Sequence, residues 1–211
     1  MAVKLDKAAL LVIDVQNDFC PGGPLAVKEG DVVVPVVNEI MNMFCKVVAT
    51  VDWHPKDHVS FASNHPGMKV FDSIEINGVE QVLWPDHCVQ GTKGAEIHPG
   101  LEDKYFDIIL RKGSDPLLDS YSAFYENDRK TPTGIEYYLK NLGVSETYIC
   151  GLATDYCVFY SAIDSVNAGF NTSLIIDAAR GVDVPQGNVN KAVDDMKQAG
   201  VTIVRSQELA A

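Results

Sequence analysis

Cys157, in the sequence GLATDYCVFYSA, lies one turn into a segment with helical spacing and directly follows an apolar run. Such a cysteine is either a packed core residue, since free Cys is among the most buried residue types, or a nucleophile, since a helix amino terminus favours a thiolate. A thiol with a pKa of about 8.5 is only a few per cent ionised at neutral pH, so a catalytic cysteine needs a proton acceptor and a positive neighbour. Asp14 and Lys112 are our candidates for these two roles.

A second group of residues has the chemistry of a divalent metal site. In the sequence VDWHP, Asp52 and His54 are two residues apart, so in an extended segment they point to one side and Trp53 points to the other. His87, in LWPDHCVQG, offers a third ligand from a proline-containing loop, although alone it would be read as a hydrogen-bonded loop residue. Three protein ligands leave positions open for water or substrate, as in functional metal sites. His58 is the reserve ligand.

The elements that must position these residues are short apolar runs separated by segments with helical spacing. The runs are rich in Val and Ile and mostly do not alternate, which is typical of parallel strands covered on both faces. They are AALLVID, KVVATVDW, QVLW, FDIILRK, ETYICG, TSLIID and VTIV. The helical segments cover residues 31–46, 131–143, 154–169 and 186–200. This alternation predicts an α/β fold, a three-layer α/β/α sandwich around a central, mainly parallel, doubly wound sheet.

Polar or chemically active residues stand where several of the predicted strands end. Asp14 ends the first strand, Asp52 the second, Lys112 the FDIILRK strand and Gly151 the strand before the Cys157 segment. The ligand crevice of an open parallel sheet lies beyond the carboxyl ends of its strands. We therefore expect two acids, a lysine and the cysteine-bearing helix to meet at one edge of the sheet.

Length, composition and charge exclude several classes of function. A chain of 211 residues, 46% of them hydrophobic, suits one domain spanning residues 1–211. No apolar run approaches the roughly 20 residues of a membrane span, and the run AALLVIDV is too short for a secretion signal, so we expect a cytoplasmic protein without a membrane partner. A net charge of −12 without a Lys/Arg cluster argues against nucleic acid. Five cysteines match no disulfide framework, so we expect free thiols.

Six motifs follow one another along the chain, namely LLVIDVQNDFCPGGPLAV, VDWHPKDHVSF, WPDHCVQGTKGAEIHP, the lysine of RKGSD, SYSAF and GLATDYCV. In this order they resemble the nicotinamidases of the isochorismatase-like (cysteine) hydrolase superfamily. The similarity runs from about residue 8 to residue 204, and no motif position departs from the pattern. The fold that the resemblance implies agrees with the strand and helix pattern.

The resemblance implies three sets of site residues. The implied catalytic triad is Asp14, Lys112 and Cys157, and the implied metal ligands, completed by waters, are Asp52, His54 and His87. The peptide bond before Ala153 is implied to be cis, and the N–H groups of Ala153 and Cys157 to form the oxyanion hole. The implied aromatic pocket for a pyridine ring is formed by Phe19, Trp84, Tyr121 and Tyr156.

The reaction that the resemblance implies is hydrolysis of nicotinamide to nicotinic acid and ammonia, in NAD salvage, through a cysteine thioester. Pyrazinamide is expected to be a further substrate. The cofactor is one divalent metal ion, with zinc as the first choice and iron or manganese left open, because these ligands do not select among the three. The expected partner is the small-molecule substrate. Apolar strand edges and helix faces are compatible with a homo-oligomer, which the sequence does not decide.

Other functions stay open at the level of sequence. An isochorismatase-type hydrolase would need neither the thiol nor the metal ligands, and an amidohydrolase for carbamoyl substrates would keep the triad but lack those ligands and Trp84. A redox protein would pair Cys157 with Cys150, which lies inside a predicted strand, so pairing would distort the sheet. The intact triad argues against a catalytically silent binding module.

Overall fold

The computed structural model describes residues 5–76 and 78–210 of the chain. Its strands are β1 (Leu5–Ile13), β2 (Phe44–Asp52), β3 (Ser73–Ile76), β4 (Val79–Val82), β5 (Ile108–Lys112), β6 (Glu146–Leu152), β7 (Asn171–Arg180) and β8 (Thr202–Val204). Six of them form one sheet in the order β5-β2-β1-β6-β7-β8, and every neighbouring pair in that sheet is parallel. Strands β3 and β4 pair antiparallel as a separate sheet.

Helices cover both faces of the six-stranded sheet. They are α1 (Val33–Ile40), α2 (Ile135–Asn141), α3 (Cys157–Asn167) and α4 (Asn188–Gln198). Successive residues of a strand point to opposite faces, and accordingly Leu10 packs in the core cluster that contains α1, whereas Leu11 packs in the cluster that contains the other three helices. The predicted three-layer α/β/α fold is confirmed. In the described ranges no helix is long and apolar enough to cross a bilayer.

Two predicted elements differ from the observed ones. The run QVLW is not a strand of the parallel sheet, because its first residues belong to β4 of the antiparallel pair, where only Gln81 is fully buried. The first helix was expected over residues 31–46, but α1 ends at Ile40, a short 3-10 turn follows, and β2 begins at Phe44. Phe44 and its neighbours pair with β1 in the sheet, so tertiary pairing overrides the helical spacing there.

The strand order reverses between β1 and β6, which makes the crevice beyond their carboxyl ends the expected ligand site. Asp14 leaves β1 with a φ of 48°, and its N–H donates to the carbonyl of Thr50 at 3.2 Å. Gly151 of β6 has a φ of 108°, and a Cβ atom there would lie 2.1 Å from the carbonyl oxygen of Ile13. Only glycine lets β6 approach β1 this closely at the rim of the crevice.

Candidate active site

Lys112, the last residue of β5, connects the groups that the sequence nominates for catalysis. Its side chain is fully buried, and Nζ lies 2.8 Å from Asp14 Oδ2 and 3.5 Å from Cys157 Sγ. The same nitrogen donates to Asp52 Oδ1 and, at 2.8 Å, to the carbonyl of Ser120. Strand register explains the placement, because Asp52 and Lys112 are paired neighbours in β2 and β5. One ammonium group therefore contacts both carboxylates and the sulfur.

The two oxygens of the Asp14 carboxylate have different surroundings. The hydroxyl of Thr50 donates to Oδ1 at 2.6 Å, which fixes the orientation of the group. Within the described residues, Oδ2 is buried and receives no well-directed hydrogen bond. A carboxylate oxygen of Asp14 and Cys157 Sγ lie within 4.8 Å of each other. Asp14 is therefore oriented to accept the thiol proton.

Burial determines the protonation states of the nucleophile and its base. Burial raises the pKa of the Cys157 thiol well above its ordinary value, although the Lys112 ammonium opposes this, so the resting sulfur is a neutral thiol. Burial also raises the pKa of Asp14 against the opposing effect of Lys112, which makes it a stronger base than an ordinary aspartate. For Lys112, burial lowers the pKa, but Asp14 and Asp52 outweigh it and keep this residue a cation.

A tight turn between β6 and α3 carries the nucleophile. Cys157 is the first residue of α3 rather than one turn inside it. The peptide bond between Leu152 and Ala153 is cis, and the carbonyl of Ala153 accepts hydrogen bonds from the N–H groups of Tyr156 and Val158 at 3.0 and 3.1 Å. Among the loop and turn hydrogen bonds of the described residues, the N–H groups of Ala153 and Cys157 are not donors. Both N–H groups can therefore serve an oxyanion.

Asp52, His54 and His87 converge in a way that fits a metal ion. Asp52 Oδ2 lies 3.6 Å from His54 Nε2 and 3.8 Å from His87 Nε2. Each imidazole donates from Nδ1 to a backbone carbonyl, His54 to Gly113 at 2.8 Å and His87 to Pro85 at 2.7 Å, so Nε2 is the atom that each ring offers to a cation. In the described part of the chain, buried His54 Nε2 has no hydrogen-bond partner. A cation between these atoms would satisfy all three.

The charge of the buried cluster supports the same conclusion. Burial raises the pKa of Asp52, but Lys112 and His54 outweigh it and hold the pKa well below its usual range, so the group is a carboxylate. Lys112 is then one cation between two buried carboxylates. A buried excess of negative charge is costly, and a divalent cation on Asp52 would remove it.

Trp53 and His58, the other aromatic residues of the VDWHPKDH segment, do not belong to the group of Asp52, His54 and His87. Trp53 faces the other way and stacks on the guanidinium of Arg111, whose CZ atom lies 4.1 Å from the ring centroid. His58, the reserve ligand, is fully buried, with its ring centroid 4.1 Å from that of His54. Its Nδ1 is 2.7 Å from the hydroxyl of Ser60. Together with His54 and Asp119 it forms a second group whose ligand atoms lie within 4.8 Å of one another, so His58 keeps its place as the reserve ligand.

An aromatic cavity opens beside the cluster. Its lining includes all four residues nominated for ring binding together with two metal-ligand candidates and the nucleophile, namely Phe19, Trp84, Tyr121, Tyr156, Asp52, His87 and Cys157. The indole N–H of Trp84 donates to the hydroxyl of Tyr121 at 2.9 Å, and the rings of Trp84 and Tyr156 meet edge to face with centroids 4.9 Å apart. A flat aromatic carboxamide matches the chemistry of these walls.

Sequence reasoning missed several residues of the site. Gln16 is fully buried, and its amide accepts from the N–H of Asp52 and donates to the carbonyl of Asp52, both at 2.8 Å. Asp119 lines the cavity, accepts from Gln81 at 2.8 Å and approaches His54 Nε2 to 4.0 Å. The two-residue spacing between Asp14 and Gln16 could have indicated Gln16, because residues two apart in an extended segment point to the same side. Nothing in the sequence around Asp119 sets it apart from a loop acid.

The structure argues against the redox alternative. Cys150 packs in the core cluster that contains α1, whereas Cys157 packs in the cluster on the other face of the sheet. All five cysteines, each within the described ranges, are free thiols. A bond between Cys150 and Cys157 would have to cross the sheet, so Cys150 is not a resolving cysteine.

Comparisons with known proteins give consistent results. A family model described as the isochorismatase domain matches residues 8–208. A curated nicotinamidase from Acinetobacter baylyi is 47% identical over 204 residues, which are 97% of this chain and 95% of that protein. A solved nicotinamidase pyrazinamidase from Acinetobacter baumanii has a TM-score of 0.94 at 47% identity and covers 97% of this chain and 98% of its own. A solved pyrazinamidase of Pyrococcus horikoshii in complex with zinc has a TM-score of 0.78 at 36% identity, with 94% and 99% covered.

Proposed function

Because the chain belongs to the isochorismatase domain family, we propose that it is an amidase that hydrolyses nicotinamide to nicotinic acid and ammonia. The observation that carries the proposal is the contact of one buried ammonium, on Lys112, with both Asp14 and Cys157 at the wall of an aromatic cavity. The names of the similar proteins from the two Acinetobacter species support the substrate. Pyrazinamide, a second flat azine carboxamide, is a further proposed substrate.

In the proposed first half-reaction the thiol attacks the carboxamide. Asp14 takes the proton of Cys157 as sulfur bonds to the carbonyl carbon, and its raised pKa favours this transfer. The N–H groups of Ala153 and Cys157 stabilise the oxyanion, and removal of one such donor typically costs about 3–4 kcal/mol in other hydrolases. Asp14 then gives its proton to the leaving nitrogen, so that ammonia departs and a thioester remains.

In the proposed second half-reaction a water molecule attacks the thioester. Asp14, again a carboxylate, takes a proton from the water, the carbon–sulfur bond breaks, and the proton is returned to the sulfur. Nicotinic acid and the free thiol are the products. Lys112 stays protonated throughout, because Asp52 remains a carboxylate beside it and keeps its pKa raised, and it stabilises the sulfur as negative charge develops.

The residues proposed to hold a divalent metal ion are Asp52, His54 and His87, and the orphaned Nε2 atom of His54 supports this assignment. When bound, the ion supplies a Lewis acid that orients and polarises the pyridine ring. We propose zinc, because a similar pyrazinamidase was solved in complex with zinc, with iron and manganese as the alternatives that the ligand chemistry permits.

The four aromatic residues of the cavity are proposed to enclose the ring of the substrate. We further propose a cytoplasmic location, because all five cysteines are free thiols, which persist in reducing compartments. A homo-oligomer is a further prediction, and a measurement of molecular mass in solution tests it.

The experiment that tests the proposed function is an ammonia-release assay with purified, metal-loaded protein on nicotinamide, pyrazinamide, benzamide and an N-carbamoyl amino acid. We expect release from the two azine carboxamides and much slower release from benzamide, which lacks the ring nitrogen. Hydrolysis of the carbamoyl compound with no reaction on nicotinamide would contradict the proposal and identify the carbamoyl amidohydrolase alternative instead.

A further inference from the structure

The segment of residues 181–187, which joins β7 to α4 and is called here the mouth segment, forms part of the cavity wall. Its central residues, Val184 to Gln186, are exposed. Val182 nevertheless lines the cavity that holds Cys157, together with Leu25 and Val27 from the loop before α1. A connection that is exposed at its centre therefore supplies one apolar wall of the proposed substrate site. Its position depends on contacts with the body of the protein.

One buried carboxylate receives most of the hydrogen bonds that fix the mouth segment to the body of the protein. Asp155 is 5% exposed. Its Oδ1 accepts from the N–H of Val182 at 2.9 Å, and its Oδ2 accepts from the N–H of Asp183 at 2.9 Å and from the side-chain amide of Asn188 at 3.1 Å. Hydrogen bonds to an ionised acceptor are roughly twice as strong as neutral ones.

The first residue of the mouth segment, Gly181, lets the backbone come close to the Asp155 carboxylate. A Cβ atom at Gly181 would lie 2.9 Å from Asp155 Oδ1 and 2.2 Å from Val189, so glycine permits the close approach of the segment to the carboxylate. Next to Asp155, the N–H of Thr154 donates to the carbonyl of Arg180 at 2.8 Å. The segment is thus fastened at its beginning to the turn that carries the nucleophile.

Asp155 itself does not line the cavity, whereas Ala153 before it and Tyr156 after it do. Tyr156 and Cys157 face the cavity, and so does Ala153. The carboxylate therefore holds a residue of the cavity wall without being part of that wall. This arrangement couples the width of the cavity to the position of the nucleophile turn.

We propose that Asp155 is a positioning residue that sets the affinity for the carboxamide by holding Val182 against the substrate ring. The inference rests on the proposed function, since it assigns a determinant of substrate binding to the same site. Loss of the hydrogen bonds releases the segment, so the cost appears in binding of the ring, while the chemistry at Cys157 proceeds with its own residues intact.

The test is a double-mutant cycle on nicotinamide hydrolysis by the metal-loaded protein, with Asp155→Asn, Val182→Ala and the two combined. Asparagine keeps the shape of the side chain and one acceptor oxygen but loses the charge and the second acceptor. We expect each single variant to raise KM about tenfold with kcat changed less than about threefold, and the double variant to be no worse than the more affected single one. The effects of the two substitutions on KM are expected not to add, because both remove the contact of Val182 with the substrate ring.

The matched control is Asp177→Asn, a β7 carboxylate that accepts from the N–H and hydroxyl of Ser206 at 2.9 and 2.7 Å, away from the cavity. Like Asp155→Asn, this variant weakens hydrogen bonds between segments that are distant in sequence. We therefore expect a similar loss of thermal stability but an unchanged KM. A second measurement, amide hydrogen exchange, is expected to be faster at Val182 and Asp183 in Asp155→Asn than in the wild type.

Three kinetic results would overturn the inference. They are an unchanged KM in Asp155→Asn, a fall in kcat alone, which would assign Asp155 to the oxyanion turn, and full additivity with Val182→Ala. Unchanged amide exchange in the mouth segment would overturn it as well. Absence of ammonia release by the wild-type protein is a different outcome, because it contradicts the proposed function itself.

Discussion

Burial raises the pKa of both Cys157 and Asp14, and this has a consequence for the pH dependence of the reaction. Asp14 must be a carboxylate to take the thiol proton, and burial raises its pKa. Activity is therefore present above this raised pKa and lost as the pH falls through it. We predict that kcat/KM declines on acidification at a pH above the ordinary aspartate pKa of about 3.9. A pH–rate profile that stays flat down to about pH 4 would be inconsistent with Asp14 as the base.

The nucleophile is tested by truncation. Cys157→Ala is predicted to lower kcat by about 10⁴-fold or more, because loss of a nucleophile removes the covalent route altogether. The matched control is Cys150→Ala, which truncates another buried cysteine on the opposite face of the sheet and should keep the activity. Circular dichroism and thermal unfolding verify that both variants fold. Comparable activity in the two variants would remove Cys157 from the mechanism.

For single residues, the sequence indicated which side chains form the site, but it did not indicate their protonation states. The spacing of Asp52 and His54 predicted a shared side, and the structure shows Trp53 on the other side against Arg111. The protonation of Cys157 could not be predicted, because it depends on burial by residues far apart in the sequence. Asp119 was missed for the same reason, since only tertiary packing brings it to the cavity.

The ends of strands and helices hold the site residues, and one glycine there is under a tight steric constraint. Gly113 follows β5 with a φ of 61°, and a Cβ atom would lie 2.5 Å from Cε1 of His54. Gly113→Ala is predicted to displace the imidazole and weaken metal affinity about 10–100-fold, the usual range when a ligand loses its support. Competition with a chromogenic chelator measures this affinity.

The control for that variant is Gly143→Ala. Gly143 also has a positive φ, 73°, but a Cβ atom there meets nothing within 4 Å. Both variants carry the backbone strain of a positive φ, so the difference between them isolates the contact with His54. Equal metal affinity in the two variants would contradict the proposed role of His54 as a ligand.

Element boundaries were the part of the secondary structure that the sequence predicted least well. The helical spacing of residues 31–46 continued past Ile40 although β2 begins at Phe44, because pairing with β1 decides the state of that segment. The run QVLW has the composition of a buried strand, yet it lies partly in β4 of a separate antiparallel pair. Local pattern carries no information about which strand will be the partner.

For the whole molecule, strand–helix alternation predicted the layers and the edge at which ligands bind. The order β5-β2-β1-β6-β7-β8 was not predictable from the pattern, because it is set by which strands pair over long separations. That order explains the site, since it places Asp14 and the Cys157 turn on adjacent strands at the point of reversal.

Metal binding is predicted to stabilise the entire fold, because Asp52 ends β2, His54 follows that strand, and His87 lies in the loop after β4. A metal ion at about 100 times its Kd adds about 2.7 kcal/mol, which corresponds to a rise in Tm of about 5–10 °C for a chain of this size. Differential scanning fluorimetry with and without a chelator measures the shift. His54→Ala should be insensitive to the chelator, and an equal shift in that variant would place the stabilising ion elsewhere.

Covalent capture is the most direct test of the central claim that the Cys157 sulfur forms a thioester with the substrate. The reaction of wild-type protein with nicotinamide is quenched in acid within the first turnovers, and the peptide containing Cys157 is weighed by mass spectrometry. We predict a mass increase equal to one nicotinoyl group on that cysteine, and no increase in Cys157→Ala. Rapid ammonia release without any acylated cysteine, together with full turnover by Cys157→Ala, would contradict the account.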